Sequence, residues 1–108
     1  MLHGDVSSAA RALLMVEPGA RKDLSALLVS EAQEAAAHVK GTGRLHPRYG
    51  NGSLMSAAHQ RPLANEPGFD NPDYCACVID VLRAVMRHHR SKGRGMKDYR
   101  LFRALAES

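Results

Sequence analysis

Two stretches of this chain carry apolar residues at the alternating steps of a helical seam. Leu28, Ala32, Ala35 and Val39 step by four, three and four, with Leu24 and Leu27 extending the stripe one turn earlier. A second series, Cys75, Val78, Leu82, Val85 and His89, steps by three, four, three and four. Such spacing places side chains along one face of an α-helix. Strand-like alternation occurs nowhere, and there is no internal repeat. The predicted class is therefore all-α. The two long stripes are expected to be each other's partners, as an antiparallel hairpin or as packing between subunits.

Local punctuation divides the chain into about five helices. Asp5 is read as the N-cap of a first helix to Val16, which Pro18-Gly19 ends. A long second helix runs from about Ala20 to Lys40, stopped by Gly41 and Gly43. A loop, GTGRLHPRYGNG, leads to a short helix at 53–60 capped by Ser53, and a Pro/Gly/Asn/Asp-rich loop follows. Asn71 and Pro72 open a further helix, Asn71 as cap and Pro72 at the first helical position. Ser91–Gly95 interrupts it, and a last amphipathic helix at about 96–106 places Tyr99, Phe102 and Ala106 on one face.

With 108 residues this is one helical domain over 1–90, taken as the oligomerisation unit, and a basic segment over 91–108. Apolar content is 44%, but 16 of those residues are Ala and none is Trp, so each contributes little buried area. A thin core of this kind leaves apolar surface for another copy or another protein to cover.

Charge is strongly segregated. Residues 1–82 hold seven Lys/Arg against nine Asp/Glu, while residues 83–108 hold eight against two. The basic residues are Arg83, Arg87, Arg90, Lys92, Arg94, Lys97, Arg100 and Arg103. Several of them recur at steps of three or four, so cations share helix faces and could track phosphates with release of counterions. The same segment could dock on an acidic protein surface, or simply form a solvated helix face favoured near a helix C-terminus.

Other chemistries fit less well. Cys75, Cys77, His88 and His89 lack zinc-ligand spacing, since a C-x-C on a helix separates its sulfurs by about 200°. No metal and no cofactor is expected. Gly50-Asn51-Gly52 before a helix could present amides to a phosphate, but no complete phosphate-loop motif is present. The polar, aromatic residues His46, Arg48 and Tyr49 leave that loop a partner-contact role. Glu31, Glu34, Asp70, Asp73 and Asp80 are read as caps and exposed-face acids, and no nucleophile, base and orienting acid are brought together. The chain is read as non-enzymatic. The first residues form no signal peptide, no stretch reaches the ~20 apolar residues of a membrane span, and a cytoplasmic location is expected.

The strings HGDVSSAARALL, HPRYGNGSLMSAA and NPDYCACVIDVL together resemble the small terminases of Rhodobacter-type gene transfer agents, across most of residues 2–86. The resemblance implies an oligomeric ring that contacts double-stranded DNA and hands it to a large terminase, which carries the ATPase and nuclease. Leu24, Leu28, Ala32, Ala35, Val39, Val78, Leu82 and Val85 would then supply the oligomer or core seam, and the basic end the contact with DNA or the large subunit. Phage small terminases commonly carry an N-terminal helix-turn-helix. The first 40 residues here are too short and too acidic for one, so DNA contact is expected to be non-specific. A regulatory adaptor with a basic docking tail is the alternative.

Overall fold

The structure is a computed structural model describing residues 1–91. The regular structure among them is helical: α1 (His3–Leu14), a 3₁₀ turn at Pro18–Ala20, α2 (Arg21–Thr42), α3 (Leu54–Ala58) and α4 (Pro72–Ser91). The fifth helix expected at 96–106 lies outside the described residues.

The caps explain the boundaries. Asp5 is not the N-cap of α1 but its third residue, from which the carboxylate accepts the Leu2 amide at 2.9 Å. The helix therefore starts earlier than expected. Gly41 does not stop α2, which runs to Thr42 and ends at Gly43, a left-handed residue with φ 72° whose amide donates to Val39 O. Ser53 and Asn71 cap as expected: Ser53 Oγ accepts the Ser56 amide, and Asn71 Oδ1 accepts the Tyr74 amide.

α4 packs most extensively on α1 and next on α2, while α3 bridges α1 and α2. The expected antiparallel hairpin of the two long helices is corrected by their neighbours. Arg21, opening α2, lies within electrostatic range of Cys77 near the start of α4. Val29 and Gln33 share a groove with Ala84 and His88, and Ala36 shares another with His88 and His89. The two helices thus run in the same direction. The antiparallel partner of both is α1, whose Ser7 meets the Tyr74 hydroxyl and whose Leu13 carbonyl accepts Arg21 Nε. The connection over 43–71 is long enough to return the chain to the starting end of α2, which a tight hairpin would not need.

The core is thin, as the composition implies. Among the described residues eight of the fourteen buried apolar residues are alanine, and Leu13, Leu28 and Val81 are the largest aliphatic side chains buried completely. On α2 the expected stripe holds at Leu28, Ala32 and Ala35, with Leu24 and Val39 half-buried and Leu27 exposed. On α4 the buried stripe is Tyr74, Cys77, Val81 and Ala84, one residue earlier than expected. Val78 and Val85 flank it, and Leu82 is 44% exposed. The reason is that α4 must face α1 and α2 together. Its buried centre falls between the two neighbours, and Val78, Leu82 and Val85 are left at the edge.

Candidate nucleic-acid interface

Arg83, Arg87 and Arg90 lie on α4 and all are exposed. Among the described residues the carboxylates that meet a basic side chain are Glu31, paired with Arg61, and Glu34, which faces the His46 imidazole, so none of the three arginines has a carboxylate partner there. Arg87 lines a groove between α4 and α2, beside Ser30 and Gln33. Lys92, Arg94, Lys97, Arg100 and Arg103 lie outside the described residues.

The other end of the pattern is the turn after α2. His46 and Gly50 exchange both backbone hydrogen bonds, at 2.8 and 3.2 Å. His46 Nδ1 accepts the amides of Arg48 and Tyr49, so that nitrogen carries no proton and Nε2–H is left to face Glu34, 3.2 Å away. The imidazole stacks on Tyr49 at 4.8 Å and meets His38 edge-on at 5.2 Å, and the Arg48 guanidinium lies 5.5 Å from the Tyr49 ring centre. Gly50 and Gly52 adopt φ of 80° and 94°. A Cβ on Gly52 would come within 2.7 Å of Ala36 Cα, so only glycine lets the turn sit this close to α2. Arg44 and Arg48 point outward and exposed, with no carboxylate partner among the described residues. In the sequence this loop stands out by its glycines and aromatics, with nothing in it that links it to the basic segment. The linking signal is the long 43–71 connection, which allows α2 and α4 to end together.

Two further features are structural in chemistry. Ser7 donates to Glu66 at 2.6 Å, and the Tyr74 hydroxyl donates to both. These bonds, Ser7 first and then Tyr74, with Arg11 nearby, hold the Glu66 carboxyl below its ordinary range. A carboxylate so depressed is a weak base, so the cluster ties the 64–66 loop to α1 and α4 rather than activating Ser7. Burial pushes the Cys77 thiol up, against the opposing influence of Arg21, which keeps it protonated and suited to packing. Among the described residues no group of three His, Cys, Asp or Glu is placed to hold a metal ion, and no helix is long and apolar enough to cross a membrane.

An apolar groove of about 650 Å³ opens between α1 and α4, lined by Leu2, Val6, Phe69, Val78 and Leu82 together with Ser7, Glu66 and Tyr74. Leu2, Phe69 and Leu82 remain largely exposed on it.

Fold and surface together define, over the described residues, a helical protein with exposed arginines on α4 and an apolar groove between α1 and α4. Residues 1–85 match a domain of unknown function, DUF7742, and the chain belongs to that family. No curated protein and no solved structure matches the chain. The matched region contains the turn and Arg83, while Arg87 and everything after it lie beyond.

Proposed function

We propose that this chain is a non-enzymatic, small terminase-like DNA-packaging subunit of the cytoplasm. It works as a homo-oligomer, holds double-stranded DNA without sequence preference, and delivers it to a large terminase. The observation that carries the reading is the exposed run Arg83, Arg87 and Arg90, with no carboxylate partner among the described residues. In the sequence this run continues into Lys92, Arg94, Lys97, Arg100 and Arg103. Unneutralised cations at helical steps suit a polyanion and release counterions when they meet one. The thin alanine core and the apolar groove between α1 and α4 favour assembly, because contiguous apolar surface of this kind is usually covered by a partner.

The test is charge reversal at Arg87, Arg90, Lys92 and Arg94, all to Glu, with duplex binding followed by fluorescence anisotropy and helicity by circular dichroism. Binding is expected to vanish with helicity unchanged. Retained binding sinks the assignment. An adaptor for one acidic protein would instead saturate at a fixed stoichiometry with that protein and ignore DNA.

A further inference from the structure

We propose that the turn 44–49, with Lys40 beside it, is a second contact surface for the phosphodiester backbone, acting with the cations of α4 on the same duplex. The inference rests on the DNA-binding reading above and extends it to residues far from the basic segment in sequence.

Topology supplies the first step. Because α2 and α4 run the same way, their C-terminal ends lie at one pole of the bundle. Ala36 shares a groove with His88 and His89, and Gly52 of the turn rests on Ala36. Lys40, Arg44 and Arg48 therefore lie toward the end of the bundle where α4 carries Arg87 and Arg90, the turn on the flank of α2 marked by Glu34 and His38 and α4 on the flank marked by Val29, Gln33 and Ala36, and all five cations are exposed. Cations in the last turns of α2 and α4 each complement their own helix dipole, which explains them one helix at a time. In an antiparallel pair such charges would fall at opposite poles. Here they add. Against five formal positive charges stand the exposed Glu34 carboxylate beside His46 and about half a negative charge at each helix end, which leaves a net positive charge. The opposite pole, where α2 and α4 begin, exposes Glu17, Asp23, Asp70 and Asp73. The body thus has a direction in an electric field, and a polyanion would meet it pole first.

Construction of the turn supplies the second step. His46 anchors it through Nδ1 and through the bridge to Gly50, and stacking on Tyr49 fixes the base on which Arg48 lies. Arg44 and Arg48 are therefore held on a shaped projection rather than a loose loop. Guanidinium groups displayed in this way suit phosphate oxygens.

The experiment measures anisotropy of a labelled mixed-sequence duplex titrated with the full chain at several salt concentrations. It compares the wild type with R44Q/R48Q and with K22Q, whose lysine is exposed near the acidic pole. Each lost phosphate contact should lower the slope of log affinity against log salt by about 0.9. For R44Q/R48Q the slope should fall by about two and binding weaken about tenfold, while K22Q should match the wild type. If the wild type binds and R44Q/R48Q binds with unchanged slope, this surface is excluded while the α4 contact stands. If K22Q loses as much per charge, net charge alone is responsible and the surface is likewise excluded. A wild type that ignores DNA overturns the function itself, and this surface with it.

Discussion

One carboxylate, Asp5, ties two helix starts together. One oxygen accepts the Leu2 amide of α1 and the other accepts the Met55 amide of α3, so the first turn of α1 also orients the third helix. A second buried acid has a different task. Glu31 is 8% exposed on α2 and pairs with Arg61, beyond α3, where the sequence suggested a solvated helix face. Nothing near Glu31 in the chain reveals that partner, because thirty residues separate the two. Arg61→Ala should leave a largely buried carboxylate without its cation, lowering stability by about 2 kcal/mol. Urea denaturation would check this: a shifted midpoint at unchanged slope is expected, and an unchanged midpoint would show that water already serves Glu31 as well as Arg61 does.

Among the elements, the turn 44–52 depends most on individual residues. Gly52 has both a left-handed backbone and no room for a Cβ against Ala36. Gly52→Ala should cost roughly 2 kcal/mol from strain and clash, and should move the turn off α2. Thermal unfolding gives the first effect; loss of the Tyr49–His46 stacking shift in the NMR spectrum gives the second. A variant as stable as the wild type would mean that the turn is not seated on α2. The helices themselves were largely readable from the chain, since Pro72, Asn71, Ser53 and Gly43 act locally and the spacing of Leu28, Ala32 and Ala35 is a helical property. What could not be read was rotation and direction. On α4 the stripes 74/77/81/84 and 75/78/82/85 have the same spacing, and the second is the more uniformly aliphatic, with Val78, Leu82 and Val85. Only packing against α1 and α2 together selects the first. Likewise, equal seams do not tell parallel from antiparallel. The 43–71 connection does, once its length is weighed against that of α2.

For the whole molecule, the parallel course of α2 and α4 has two consequences. It collects cations from distant parts of the sequence at one pole, and it leaves Leu82, Phe69 and Leu2 on an apolar face along α1 and α4. The proposed DNA-packaging role would use both: charge to hold the duplex, and surface to assemble with its copies. The seam residues were expected to serve either the core or the subunit contact. Leu28, Ala32 and Ala35 lie in the core, while the exposure of Leu82 makes it available to a partner. Light scattering of the purified chain, with and without duplex DNA at low and moderate salt, addresses both consequences together. A particle of many 11.8 kDa subunits is predicted, gaining mass on DNA at low salt and losing it as salt rises. A monomer whose mass DNA does not change at any salt would contradict it.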